Sequence, residues 1–152
     1  MQVKELGHIV LYVRDIERSA RFYGDVLGWQ QLEVPGDGAL GRMPVALYSS
    51  GRTHHELLLI EVGEDAQPVP RGRHLGLYHF GLKVGDSDDE LRDALGRCRE
   101  QGVRIVGMSD HTVSHSVYIE DPDGNEIELY IDVPGVDWTA TNVMAPIKAL
   151  AL

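Results

Sequence analysis

A chain of 152 residues, 43% hydrophobic and 25% charged, has an ordinary globular composition, enough for one domain or two small halves sharing a core. Its formal net charge of −10 argues against nucleic acid or an anionic membrane surface as partner, and no apolar run approaches the roughly 20 residues of a membrane helix. A lone cysteine, Cys98, with no CxxC and no leader pattern at the start, fits a reducing cytoplasm.

The first strand is predicted over 5–13, where Ile9, Leu11 and Val13 alternate onto one face and His8 points the other way. Asp15 is placed to cap a helix over 16–27, with Ile16, Ala20, Tyr23 and Leu27 at helical spacing and Gly28 closing it. Strands are expected at 29–34, 43–50 and 54–62, punctuated by Pro35-Gly36-Asp37-Gly38 and Ser50-Gly51-Arg52. Residues 1–62 therefore spell β-α-β-β-β. Residues 63–74, with Pro68 and Pro70 and few large apolar groups, read as an exposed linker.

Residues 75–132 repeat that order. The strand at 77–84 sets Phe80, Leu82 and Val84 on one face and His79, Gly81 and Lys83 on the other. A helix is predicted over 87–101, with Leu91, Leu95 and Cys98 inward and Gly102 as its stop. Strands follow at 103–108, 115–121 and 126–132, the last two joined by the turn Pro122-Asp123-Gly124-Asn125. The tail, 133–152, is expected to form a short helix or lid. The fold class is α+β, with two paired βαβββ modules in one compact domain.

The repeat gives the histidines their weight. Leu6-Gly7-His8-Ile9-Val10-Leu11-Tyr12-Val13 and Leu77-Tyr78-His79-Phe80-Gly81-Leu82-Lys83-Val84 are two copies of one text, with a histidine at the same place in each. Taken singly, a strand histidine is more often a hydrogen-bonded structural residue than a ligand. On the last strand Ile127, Leu129 and Ile131 form the face that packs on a helix, while Glu126, Glu128 and Tyr130 look the other way. A carboxylate withdrawn from water needs a charge partner or a metal. Three strands thus each offer one metal-ligand type opposite their helix-packing face. Two imidazoles and one carboxylate form a facial triad that leaves positions open for substrate and oxygen.

Four segments carry a family resemblance: Gly7-His8-Ile9-Val10-Leu11-Tyr12-Val13, Phe22-Tyr23-Gly24-Asp25-Val26-Leu27-Gly28-Trp29, Tyr78-His79-Phe80-Gly81-Leu82-Lys83-Val84 and Asp121-Pro122-Asp123-Gly124-Asn125-Glu126-Ile127-Glu128-Leu129-Tyr130. The chain resembles the vicinal oxygen chelate superfamily, which includes glyoxalase I, methylmalonyl-CoA epimerase, fosfomycin and bleomycin resistance proteins, and type I extradiol dioxygenases. The resemblance implies paired βαβββ modules curled round a metal as a partly open mixed β-sheet barrel with flanking helices. It puts the metal ligands on His8, His79 and Glu128. It also implies a homodimer in many members, with modules paired within one chain or exchanged between two.

Members that isomerise or epimerise carry a fourth ligand on the last strand of module one, here His54-His55-Glu56-Leu57-Leu58-Leu59-Ile60-Glu61-Val62. One alignment sets Glu56 over Glu126 and Leu58 over Glu128, giving three ligands. A shift of one strand period makes Glu56 the fourth. The first is preferred, and periodicity does not fix the register because both faces are apolar further on. His54, His55 and Glu56 read equally well as an exposed strand start. The stretch from Asp110 to Tyr118 resembles the part of extradiol dioxygenases that supplies a histidine and a tyrosine to the site, which falls on His111 and Tyr118; His115 lies on the wrong face by alternation.

These resemblances imply an Fe(II)-dependent extradiol ring-cleaving dioxygenase, Mn(II) also fitting. The substrate would be a catechol or another small molecule with vicinal oxygens, with His111 as acid–base and Tyr118 as hydrogen-bond donor. The alternative is a glyoxalase-like or epimerase-like isomerase or lyase using Ni(II), Co(II) or Zn(II). A third reading is a drug-sequestering protein that needs no metal.

Overall fold

The structure is a computed structural model that describes residues 1–34, 43–140 and 147–152. The chain divides into two compact units, Met1–Pro68 and Val69–Leu152, the division falling inside the segment read as linker.

Unit one contains β1 (Ile9–Val13), α1 (Ile16–Ala20), a π-helical turn (Arg21–Val26), β2 (Gln30–Leu32), β3 (Val45–Ser49) and β4 (Leu57–Glu61). Its sheet order is β1-β4-β3-β2, with β1 parallel to β4 and the other pairs antiparallel. The first strand begins at Ile9 rather than at residue 5. Its ladder starts where Ile9 N–H donates to Glu56 O, and upstream the Leu6 and Gly7 carbonyls accept from the Arg52 guanidinium instead of from a strand.

Asp15 caps α1 through its side chain, which accepts from Arg18 N at 2.9 Å, and the Glu61 carboxylate accepts from Ile16 N. The predicted single helix is α-helical only to Ala20. Beyond it, Leu27 N–H reaches back five residues to Phe22 O at 3.0 Å, and the widened turn buries two consecutive aromatics, Phe22 and Tyr23. The buried face is therefore Ser19, Phe22 and Tyr23, and Ile16, Ala20 and Leu27 are only half-buried. Gly28 ends the helix in the left-handed region (φ 71°). Leu11, Val13, Ala46, Tyr48, Leu57 and Leu59 form the buried face of the sheet, each worth on the order of 1.5–3 kcal/mol for the larger side chains. On the other face, Val10 and Tyr12 are exposed. The predicted turn at 35–38 lies outside the described residues.

Unit two contains β5 (His79–Gly85), α2 (Asp88–Glu100), β6 (Ile105–Asp110), β7 (Ser114–Glu120), β8 (Glu126–Asp132) and β9 (Lys148–Ala149). The sheet order is β5-β8-β7-β6-β9, again with the first strand parallel to the last of its module. The α2 start is a capping box: Ser87 Oγ accepts from Glu90 N, and Glu90 Oε2 accepts from Asp86 N and Ser87 Oγ. Gly85 is required there, because a Cβ would stand 2.5 Å from Glu90 Cβ. Leu91, Leu95 and Cys98 are buried on α2, as are Phe80, Val117, Ile119, Ile127, Leu129 and Ile131 on the strands. Among the described residues neither sheet closes on itself. In its described part the tail differs from the expected helix. Its described part holds short turns and β9, which extends the sheet beside Ser109 and Asp110.

Candidate metal and proton-transfer site

In unit two the sheet face turned away from Ile127, Leu129 and Ile131 carries His79 on β5, Glu126, Glu128 and Tyr130 on β8, and Ser116 and Tyr118 on β7. Ladder register brings them together: Glu128 stands opposite Gly81 on one side and Tyr118 on the other, while His79 stands opposite Glu126. The start of β8 is fixed by the preceding turn. The buried Asp121 carboxylate accepts from Asp123 N and Asn125 N through Oδ1 and from Asn125 Nδ2 through Oδ2.

The two oxygens of Glu128 differ. Oε1 accepts from Ser116 Oγ at 2.6 Å and Tyr118 Oη at 3.2 Å, while Oε2 lies 3.4 Å from His79 Nε2. His111 Nε2 is 2.8 Å from Tyr118 Oη and 4.0 Å from Glu128 Oε1. The sequence-predicted His79, Glu128, His111 and Tyr118 thus form one connected group. Burial, reinforced by the Glu128 charge, pushes the Tyr118 hydroxyl up to about 12, which favours its protonated form. His79 Nδ1 is buried without a hydrogen bond, 3.5 Å from Glu126 Oε1. The charge of Glu126, with burial and its hydrogen bond, raises the Tyr78 hydroxyl above its usual range.

In unit one His8 is exposed at the foot of β1, its ring centroid 4.7 Å from that of His55. His55 Nδ1 is 2.6 Å from His54 Nδ1. Burial first, then the His54 and His8 imidazoles, lowers the His55 pKa below the ordinary imidazole range. Alternation along the sequence does not separate His55 from an exposed strand start. The signal lay in the pairing of β1 with β4, which sets Ile9 opposite Leu57 and so brings the residues before β4 near the residue before β1. Glu56 is committed elsewhere: its carboxylate accepts from Ser50 N at 2.6 Å and Arg52 Nε at 2.8 Å. The same register gives Leu58 opposite Val10, where module two has Glu128 opposite Gly81. The ladder matches the alignment with Glu56 over Glu126.

A family model for the Glyoxalase/Bleomycin resistance protein/Dioxygenase superfamily matches residues 5–129. The chain belongs to this superfamily. Among curated members it is 38% identical over 133 residues to a catechol-2,3-dioxygenase of Bacillus subtilis, covering 88% of this chain and 43% of that protein. It is 31% identical over 139 residues to a lactoylglutathione lyase of Neisseria meningitidis, covering 89% of this chain and 96% of that protein. Among solved structures, a glyoxalase/dioxygenase from Nostoc punctiforme superposes with a TM-score of 0.69 at 26% identity, covering 85% of this chain and 91% of that one. The chain therefore spans about two fifths of the ring-cleaving relative and nearly the whole of the lyase.

The donor set of unit two suits the metal such superfamily members imply. Two ligand atoms each about 2.1 Å from one ion can stand 3.4 Å apart, as His79 Nε2 and Glu128 Oε2 do. Ser116 and Tyr118 take the other carboxylate oxygen, which fixes its orientation. Gly81 keeps the adjoining space open, since a Cβ there would lie 3.6 Å from Glu128 Oε2 and 3.2 Å from Tyr130 Cε1. Among the described residues no group of three or more His, Cys, Asp or Glu side chains is placed to hold a metal ion. No helix of the described residues is long and apolar enough to cross a membrane.

Proposed function

We propose that the protein is an extradiol dioxygenase that opens a catechol-type ring beside its two hydroxyls, with Fe(II), or Mn(II), held by His8, His79 and Glu128. The observation that carries this reading is the pairing, on one sheet face, of a metal-competent His79–Glu128 couple with a hydrogen-bonded His111–Tyr118 couple. The likeness to a catechol-2,3-dioxygenase supports it. So does Leu58 at the position matching Glu128, which favours three protein ligands over four.

When bound, the metal supplies Lewis acidity toward the vicinal hydroxyls and the electrons that activate dioxygen. The remaining work belongs to the chain. Glu128 is held by Ser116 and Tyr118 so that one oxygen faces His79. Tyr118 donates from Oη to Glu128, so His111 Nε2, 2.8 Å away, carries the proton it donates to the same Tyr118 oxygen and stands as a proton source beside the carboxylate. His55, with its lowered pKa, is a candidate acceptor next to His8. Both oxygen atoms of O2 enter the product, so no external reductant is needed. Protein loaded anaerobically with Fe(II) should give a yellow ring-opened product from catechol on admission of air. Iron-loaded protein inert toward a broad catechol panel would overturn the proposal.

The second reading, a glyoxalase-like or epimerase-like isomerase or lyase, is favoured by the near full-length match to a lactoylglutathione lyase. It requires a fourth ligand, Glu56, and Ni(II), Co(II) or Zn(II). The engagement of Glu56 by Arg52 and Ser50 weighs against it. A homodimer in the cytoplasm, acting on a small molecule, completes the proposal.

A further inference from the structure

We infer that His115 is a positioning residue: clamped between Asp88 and Asp110 on the outer face of the sheet, it fixes the hairpin turn that aims His111 at Tyr118. The role assigned to His111 rests on the ring-cleavage reading; the geometry of the clamp does not.

His115 alternates on β7 with Val117 and Ile119, on the side toward α2, away from Ser116 and Tyr118. Its side chain is largely buried, with Nδ1 2.6 Å from Asp88 Oδ1 and Nε2 3.7 Å from Asp110 Oδ1. The two aspartates belong to different elements. Asp88 is the first residue of α2, directly after the Ser87 cap, and Asp110 is the last residue of β6, opposite His115 in the ladder. Asp110 also braces the turn, because the same Oδ1 accepts from Thr112 N at 2.6 Å. Lys148 of β9, the ladder neighbour of Asp110 on the other side, is exposed.

The turn between β6 and β7 needs such support. Thr112 has φ 74°, the one non-glycine positive φ among the described residues, and a β-branched side chain is strained there. Three bonds hold the turn: His111 N–H to Ser114 O at 2.9 Å, Val133 N–H to Val113 O at 2.9 Å, and Thr112 N–H to the Asp110 carboxylate. The turn backbone sets where the His111 ring goes, and that ring ends 2.8 Å from Tyr118 Oη. A contact path therefore runs from the start of α2 through Asp88, His115 and Asp110 to the turn, and from the turn to the hydroxyl that holds Glu128. It joins the helix-covered face of the sheet to the site face.

The bland alternative is that His115 only anchors the first turn of α2, and amide exchange separates the two. His115→Leu and Asp88→Ala would be compared with wild type by residue-resolved hydrogen exchange on the full chain, metal-free and loaded with Zn(II). Asp88 is half-exposed, so its variant keeps the test open if His115→Leu fails to fold. The expected result is about tenfold faster exchange of the His111 and Thr112 amides in His115→Leu, and a smaller rise in Asp88→Ala, with Ile127 and Leu129 unchanged. Asp88→Glu should restore the protection. In the iron-loaded protein kcat for catechol should fall about tenfold with KM and iron content held, as misplacement of a proton carrier requires. Unchanged exchange at His111 and Thr112, with faster exchange confined to Leu91 and its neighbours in α2, would overturn the inference. Should the turn loosen as expected while wild type opens no catechol, the clamp stands and the ring-cleavage reading falls.

Discussion

Ser116 offers the sharpest test of how the carboxylate is held. Its hydroxyl is fully buried and donates to Glu128 Oε1 at 2.6 Å, while the longer bond from Tyr118, 3.2 Å, meets the same oxygen. Ser116→Ala removes the shorter bond and leaves a gap the size of one oxygen, too small for water to replace the donor. A hydrogen bond to a charged acceptor contributes about 1.5–3 kcal/mol. Because Tyr118 still satisfies part of Oε1, the low end applies, and about 1.5 kcal/mol should lower Tm by roughly 3–6 °C in a chain of this length. A carboxylate freed to rotate also binds metal less well, by about 10–100-fold when an outer hydrogen-bond partner is lost. Calorimetry on the metal-free protein reads the first effect, and competition of Co(II) or Fe(II) against a chelator reads the second. A variant that melts within a degree of wild type and binds metal equally well would refute the reasoning, for it would mean that Glu128 is oriented by something other than Ser116.

Tyr118→Phe removes a donor whose hydroxyl burial has pushed up to about 12, and should lower kcat about 100-fold while costing less metal affinity than Ser116→Ala; stopped-flow turnover and the same competition titration check this. Glu56→Gln should leave metal affinity unchanged, since Arg52 and Ser50 already occupy the carboxylate. Burial opposes ionisation of Glu56, but the Ser50 and Arg52 hydrogen bonds outweigh it and hold its folded pKa below the usual 4.5. The variant should therefore be less stable than wild type above that value, and the gap should close as pH falls through the lower folded pKa; denaturant titrations from about pH 7 to about pH 3 would show it. Leu129→Ala, at a fully buried site beneath α2, should cost about 2–5 kcal/mol in denaturant unfolding.

What could be read in the sequence was what repeats at short range. Alternation separated Ile127, Leu129 and Ile131 from Glu126 and Glu128, and the structure buries the first three. Glycine marked the stops at Gly28 and Gly102, both at positive φ. The unread parts depend on partners far along the chain. Ser116 was visible as a neighbour of Tyr118 by alternation, but its donation to Glu128 needs the β7–β8 register. His55 meets His8 only because β1 and β4 run parallel. The π-helical turn was hidden because Ser19, Phe22 and Tyr23 stand at i, i+3 and i+4, the spacing an ordinary α-helix would also bury. The edge strand β9, two residues long, has no period to detect.

The ladder of module one has an evolutionary consequence. Leu58 occupies the slot in which the second module keeps its carboxylate, on a strand already aligned and already apolar on both sides. On the three-ligand reading proposed above, Leu58→Glu would set a second carboxylate on a strand whose ladder is already formed, so selection could try a fourth ligand there without rebuilding the sheet.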